Sequence, residues 1–487
     1  MEVQIVRSAI WMVLSKGGIQ TLSFLSTMFV ARWLSPSDYG LMAIAGAWIS
    51  IISLLAELGL GGAIIQFRDL TERELNACFW VAIGLAIVSY VGIFLIAPSI
   101  GEWFQSPRLP LIIQISSVSI LLIAIRVVPD SLLRKSLRLD KVSQAEILAS
   151  VVTIPLVMAL AWAGAGVWSL VIGTISTPLV QSIATMWFLQ WWPGLSVGGE
   201  RLKSIFHYSV TSIGSRLCWA AYSQADTVIL GKVAGETVVG LYSMGKQIGT
   251  LAASKVSTVV NQLALPVMAE LQSDPVAMRQ AILRSMRLVA TITCPLGIGT
   301  LILADPLVRV FLTEKWIDTV PLVQVFCGYA VFRSLDMLFP PVLYARYRAS
   351  FMLWYGVVLL LCMPIAFYIG AVLLGSLGVV LAWILMYPII AYRMIVEALS
   401  EIHLNWHDLW RETWEAVLPT AVMACAVFPI SHWALEAQLG RSAWLHLIST
   451  ALFGVAVYVI AIFYRGGQLK QDMSLAISRV TQHRIFG

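Results

Sequence analysis

Six basic residues stand inside stretches of this sequence that are otherwise apolar enough to cross a bilayer: Lys16, Arg126, Arg216, Lys246, Lys255 and Arg333. A cation in hydrocarbon is costly, so such residues usually face a protein interior, a water-filled cavity or a charged partner. An unpaired cation in a low dielectric attracts phosphate, and the planar Arg guanidinium can contact two phosphate oxygens at once. The chemistry that these residue types indicate is the binding of an anion.

Four acidic residues share these apolar stretches: Glu57, Asp130, Asp226 and Asp336. Asp336 follows Arg333 by three positions, a spacing at which side chains meet on a helix, so an ion pair is the alternative to anion binding there. Asp226 follows Arg216 by ten positions, which is about 15 Å along a helix axis. The sequence therefore gives Arg216 no direct partner in Asp226.

The composition is that of a membrane protein. Hydrophobic residues make up 59% of the 487, charged residues 12%, and the mean hydropathy is +0.84. Apolar runs of the ~20 residues that span a bilayer as a helix recur along the chain, which predicts an all-α polytopic protein with about fourteen transmembrane helices. The predicted spans are 8–31, 40–66, 78–98, 109–133, 144–163, 166–190, 205–231, 238–266, 285–304, 320–344, 351–373, 377–399, 416–433 and 443–464.

The basic residues outside the spans predict the orientation. Most of the 32 Lys and Arg residues fall in loops on the side of the two termini. The loops on the other side hold Arg32, Arg108, Lys232, Arg309, Lys315 and Arg441. By the positive-inside rule both termini are cytoplasmic, and the net charge of +6 needs no nucleic-acid partner to explain it. The N-terminal stretch lacks a small-residue cleavage site and predicts a retained first helix.

The sequence contains few patterns that indicate catalysis or metal binding. The six cysteines show no C-x-x-C spacing, and His403 and His407, four apart, have no evident third ligand. A membrane glycosyltransferase or polysaccharide polymerase needs acidic residues on sizeable outer loops, whereas the longest candidate, residues 304–320, is short. We expect neither an enzyme nor a metal site.

An internal repeat organises the spans. An offset of 200 aligns polar and glycine positions of the first six spans with the next six, among them Ser15-Lys16 with Ser215-Arg216 and Gly40-Leu41 with Gly240-Leu241. An offset of 207 aligns Arg126 with Arg333, and one of 212 aligns Gly166 with Gly378. The repeat predicts two six-helix bundles, 1–195 and 200–400, as in many transporters. An interfacial helix (401–415), two further helices (416–464) and a cytoplasmic tail (465–487) follow.

Helical spacing places charged and polar residues on the same face of a predicted helix. The first span carries a polar stripe of Lys16, Gln20, Ser23 and Thr27, and the seventh span carries Ser212, Arg216, Ser223 and Thr227. Such stripes favour a water-filled cleft between the bundles, to which Arg126 and Arg333 add a second related pair. Lys16 could instead snorkel to the cytoplasmic surface. Lys246 and Lys255 lie on opposite sides of their helix, and we favour Lys255 for the cleft.

Two segments carry a family resemblance: "ARWLSPSDYGLMAIAGAWISIISLLAELGLGGAIIQ" and "QADTVILGKVAGETVVGLYSMGKQI". They resemble the hallmark segments of bacterial Wzx-type polysaccharide flippases, in the multidrug/oligosaccharidyl-lipid/polysaccharide exporter superfamily. The resemblance implies a V-shaped inner-membrane protein that carries undecaprenyl-diphosphate-linked oligosaccharide to the periplasmic face by alternating access, for exopolysaccharide, O-antigen or capsule synthesis. Membrane lipids, a polysaccharide polymerase and chain-length proteins are the implied partners.

The resemblance also implies residue roles. The family's cationic cavity corresponds to Lys16 and Arg216, with Arg126, Arg333 and Lys255 as further members. Ion coupling in the family makes Glu57 and Asp226 candidates for a proton or sodium site, with no other cofactor. A lipid II flippase and a multidrug or cation antiporter of the same superfamily remain alternatives, although a cation-rich interior suits a cationic drug poorly.

Overall fold

The computed structural model describes residues 18, 22–67, 69–251, 253–254, 264, 267–436 and 443–465, without the side chains of 208, 210–213, 215–216, 432–436, 443 and 465. Within these ranges the regular structure is helical and contains no strand. The described residues contain ten helical segments, some of them made of successive short helices, that are long and apolar enough to cross a membrane. The all-α polytopic fold is therefore confirmed, while the count of fourteen spans stays a prediction.

Contacts divide the chain into two units. The first comprises Met1–Ser243 and Leu360–Ser376. Its helices are α1 (22–33), α2 (Pro36–Glu57), α3 (Leu60–Gln66), α4 (Glu72–Phe104), α5 (Leu109–Ser116), α6 (Val118–Lys135), α7 (Leu139–Trp162), α8 (Val167–Leu189), α9 (Leu202–Ala234) and the beginning of α10 (Glu236–Gly249). One apolar core joins α3, α4, α6 and α9 through buried residues such as Ile64, Phe79, Val128 and Ile205.

Short polar signals begin and end these helices. Ser35 caps α2 and forms a capping box with Asp38, and Pro36 occupies the first turn, where its missing N–H costs nothing. The predicted span 40–66 is broken after α2, because Leu58 and Gly59 both adopt left-handed backbone conformations. The structure therefore places two helices, α2 and α3, where the sequence predicts one.

The second unit comprises Met244–Leu359 and Leu377–Gly487. It contains α11 (Pro275–Ile302), α12 (Ala304–Phe311), a 3₁₀ turn (Glu314–Thr319), α13 (Val320–Asp336), α14 (Phe339–Ala345), most of α15 (Ala349–Glu401), α16 (Trp406–Glu436) and α17 (Ala443–Arg465). Its largest core packs α11 against α14, α15 and α16 around Met286, Phe339, Met394 and Leu409.

Helix α15 is two helices joined at Gly375. Straight, its 53 residues would extend about 80 Å at 1.5 Å per residue. Yet Arg348, before its first residue, donates to Glu401, its last, over 2.6 Å. The chain reverses because Gly375 has φ 59° and ψ −135°, a conformation open essentially to glycine. The two predicted spans 351–373 and 377–399 match the two arms.

The segment predicted as an interfacial helix, 401–415, has different bounds in the structure. Helix α15 ends at Glu401, and Trp406–Glu436 forms one continuous helix, α16. Leu409 packs in the apolar core with α11, and the buried Glu412 pairs with Arg287 of that helix, so residues that the sequence pattern separates belong to one helix. The predicted division into lobes at 195–200 stays a prediction.

Candidate functional site

The backbones of helices α2 and α10 are in direct contact where the two helices cross. A Cβ added to Gly40 would lie inside van der Waals contact of the Glu236 carbonyl oxygen, and one added to Gly240 would meet the Pro36 carbonyl oxygen in the same way. Both pairs are related by the offset of 200 found in the sequence. The repeat-related first turns of these helices therefore cross in a locally symmetric contact that only glycine permits.

Hydrogen bonds between side chains stabilise this crossing of α2 and α10. The Glu236 carboxylate accepts one hydrogen bond from Ser37 Oγ over 2.6 Å and another from Ser106 Oγ over 2.8 Å. Ser37 belongs to α2, and Ser106 lies in the turn after α4. A carboxylate bound by two hydroxyl donors gains charge-assisted hydrogen bonds at both oxygens. Glu236 thus connects three segments of the first unit.

The backbone corrects the register of the repeat further along the chain. Leu137 and Tyr347 occupy equivalent left-handed turns, with φ 56° and 59°. The next N–H, of Arg138 or Arg348, donates to Leu133 O or Leu343 O. The offset at this turn is 210, and by that offset Asp336, rather than Arg333, is the repeat position that corresponds to Arg126. Likewise Gly375, with φ 59° and ψ −135°, rather than Gly378, matches Gly166, which has φ 56° and ψ −135°.

Arg333 forms an ion pair. Its Nη1 lies 3.0 Å from both oxygens of Asp336, whose side chain is fully buried. The Tyr387 hydroxyl donates to Asp336 over 2.6 Å and also contacts Arg333. This is the ion-pair alternative that the three-residue spacing offered, and it compensates the charge of Arg333.

Arg126 has a different environment. Its guanidinium, half-buried on α6, donates to the amide oxygen of Gln181 on α8. Asp130, one turn further on α6, binds Arg134 instead, with Nε 2.7 Å from Oδ2. Within the described ranges the neutral Gln181 side chain is the one polar partner recorded for Arg126. The positive charge of Arg126 is therefore held in place without being cancelled there.

The acidic candidates are both placed. Asp226 is fully buried in α9 and accepts from the Tyr242 hydroxyl of α10 over 2.6 Å and from the Thr227 N–H. These bonds stabilise a buried carboxylate and join α9 to α10. Glu57 is half-buried in the last turn of α2. Neither residue lies beside Arg126 in the recorded contacts of the described part.

The polar stripes are described only in part. Thr27 donates to Ser23 O, Ser223 to Ala220 O, and Thr227 to Asp226, so these hydroxyls bond within their own helices. Lys16, Gln20 and Lys255 lie outside the described residues. Arg216 and Ser212 belong to α9, but their side chains lie outside the described ones.

A polar cluster that was not predicted from the sequence lies at the start of α4. The Glu74 carboxylate completes the capping box with Thr71 and also accepts the Arg201 N–H at the start of α9 over 3.2 Å. Asn76, 1% exposed, accepts from the Gly194 N–H and donates to Ser196 O. The chain between α8 and α9, residues 190–201, is thereby attached to α4. The motif Thr71-x-x-Glu74 is a recognisable helix-start signal.

Replacing Asn76 by alanine should release this segment. The Gly194 N–H and the Ser196 carbonyl would lose their partner, at about 1–3 kcal/mol for each buried group left unsatisfied. We expect faster trypsin cleavage next to Arg201 in membrane vesicles. Glu72→Ala, at an exposed position with no recorded bond among the described residues, is the control. Equal cleavage rates in the two variants would contradict the attachment.

Comparison with known proteins decides the family. The family model described as polysaccharide biosynthesis protein matches residues 29–321, more than half of the chain. The chain belongs to this family. Lipopolysaccharide biosynthesis protein WzxC of Escherichia coli (strain K12) is 23% identical over 439 residues, covering 87% of each chain. Succinoglycan biosynthesis transport protein ExoT of Rhizobium meliloti (strain 1021) is 21% identical over 469 residues, 94% of this chain and 92% of ExoT.

The family fold is also that of a solved transporter. Lipid II flippase MurJ, in an inward closed conformation, matches 95% of this chain and 99% of its own, with a TM-score of 0.68 and 15% identity. At that identity the match shows the fold alone. The Wzx-type resemblance found in the sequence is confirmed by the family and its members.

Proposed function

We propose that this protein is a flippase that moves undecaprenyl-diphosphate-linked oligosaccharide across the bacterial inner membrane by alternating access. The oligosaccharide would serve exopolysaccharide, O-antigen or capsule synthesis. The observation that carries the proposal is that relatives over nearly the whole chain are named for lipopolysaccharide biosynthesis and succinoglycan transport. The cargo crosses without chemical change, so the protein is a transporter rather than an enzyme.

The cationic residues supply the chemistry for an anionic cargo. Arg126, bound to a neutral amide, keeps its charge for a phosphate oxygen. Lys16, Arg216 and Lys255 complete the proposed set, whereas the Arg333 charge is already compensated by Asp336. A diphosphate carries several acceptor oxygens, which a set of cations can bind together as its hydration water is removed.

We further propose a coupling site, protein partners and an orientation in the membrane. Glu57 and the buried Asp226 are the proposed sites for a proton or a sodium ion, and no other cofactor is required. A polysaccharide polymerase and chain-length proteins would receive the exported units. Both termini face the cytoplasm, as the distribution of Lys and Arg predicts.

Proteoliposomes test the function. The purified protein should move undecaprenyl-diphosphate-linked oligosaccharide to the opposite leaflet, measured by the access of an added glycosidase. Arg126→Gln should slow this movement by about ten-fold or more, the scale of one charged hydrogen bond. Arg309→Gln is the control, because Arg309 pairs with Asp305 at an exposed i, i+4 position. No movement by the unaltered protein, or equal rates in both variants, would contradict the proposal.

A further inference from the structure

Three side chains on α6 follow one another at successive helical turns: Arg126, Asp130 and Arg134. Residues four apart share a helix face, so Asp130 could pair with either arginine. In the structure both Asp130 oxygens bind Arg134, at 2.7 Å from Nε and 3.4 Å from Nη2. The carboxylate nearest to Arg126 in the sequence is thus already engaged.

Gln181 of α8 supplies the polar partner of Arg126. Helices α6 and α8 are held together one turn away, where Ser182 Oγ donates to Leu122 O over 2.6 Å. The adjacent residue, Gln181, accepts from Arg126 Nη1 through its amide oxygen. An amide orients the guanidinium and leaves its other N–H donors and its full charge available.

A different arrangement is found in the second repeat, at a position that does not correspond to Arg126. There Arg333 binds a carboxylate, the fully buried Asp336, and Tyr387 reinforces that pair. In a low dielectric a paired carboxylate competes directly with any incoming anion. The protein therefore contains two arginines within predicted spans that differ in their partners. Arg126 has the neutral Gln181, and Arg333 has the charged Asp336.

We propose that Gln181 is a positioning residue that holds Arg126 ready for the diphosphate of the lipid carrier while leaving its charge uncancelled. The inference rests on the proposed function. It adds the residue that controls how strongly Arg126 binds an anion. A single change of atom type, from amide nitrogen to carboxylate oxygen, would convert the site into an ion pair like that of Arg333.

Gln181→Glu makes this change with almost no change in shape. We expect the affinity of the purified protein for undecaprenyl diphosphate to fall about ten-fold or more, while the affinity for uncharged undecaprenol stays unchanged. A purely structural role would weaken both. Gln144→Glu is the matched control, since the Gln144 amide oxygen also accepts from a cation, Lys141 over 3.0 Å, but at an exposed position on α7.

Gln181→Met provides a second arm, because it removes the acceptor without adding charge. Its affinity for undecaprenyl diphosphate should fall less than that of Gln181→Glu, and this variant decides the matter if Gln181→Glu does not fold. The inference is overturned if both variants bind undecaprenyl diphosphate like the unaltered protein, or if Gln144→Glu loses as much affinity as Gln181→Glu. Absence of binding by the unaltered protein would instead overturn the proposed function.

Discussion

Alanine at Gly40 or Gly240 is expected to prevent the protein from reaching its folded state in the membrane. Each added Cβ would overlap a backbone carbonyl oxygen, of Glu236 or Pro36, and backbone atoms cannot rotate away as a flexible side chain can. Overpacking a tight contact costs about 1–3 kcal/mol and sometimes more. We expect at least the upper end of that range, because α2 and α10 would have to separate and Ser37 would lose Glu236.

The measurement is the yield of monodisperse protein in detergent and its unfolding temperature. Gly46→Ala is the control on the same helix, since an added Cβ there meets no atom within 4 Å. Alanine favours a helix over glycine by up to about 1 kcal/mol, so Gly46→Ala should be neutral or stabilising. If Gly40→Ala and Gly46→Ala unfold at the same temperature, α2 and α10 do not cross as the structure shows.

Loss of Arg287 should have the second large effect. This residue of α11 is 7% exposed and contacts Glu412 of α16, which is 4% exposed, through Nε and Nη2 at 2.7 Å each. Glu415 Oε2 lies 3.8 Å from the same Nε. Arg287→Leu would leave the buried Glu412 carboxylate with the exposed Arg411, 3.5 Å from its other oxygen, in place of its buried partner. Breaking a buried pair costs about 3–5 kcal/mol.

A double variant separates two effects on stability: the loss of the ion pair, and the burial of Glu412 without Arg287. Arg287→Leu with Glu412→Leu removes both ions, and apolar replacement of a buried pair is often close to neutral. Its unfolding temperature should lie nearer to that of the unaltered protein than that of Arg287→Leu. As a comparison, Arg309→Leu breaks an exposed pair worth about 1 kcal/mol or less. An Arg287→Leu variant as stable as Arg309→Leu would show that the pair contributes little.

Several features were predicted because they depend on local sequence. The repeat was visible from Gly40 and Gly240, since a close backbone approach requires glycine whatever surrounds it. The reversal between the spans 351–373 and 377–399 was located within a few residues of Gly375. The register was wrong between Arg126 and Arg333, because single charged residues aligned in a sequence carry no information about the turns between them.

The sequence by itself determined the membrane class, the all-helical fold, the repeat and the family, since apolar length, glycine positions and family segments are properties of the chain. Only the tertiary structure decided that the charge of Arg333 is compensated by a carboxylate whereas Arg126 has a neutral partner. Asp130 and Asp336 are both within a turn of an arginine, yet Asp336 binds Arg333 whereas Asp130 binds Arg134 and leaves Arg126 to Gln181. The partner that decides, Gln181, lies 55 residues away on another helix, and only packing of α6 against α8 brings it to Arg126.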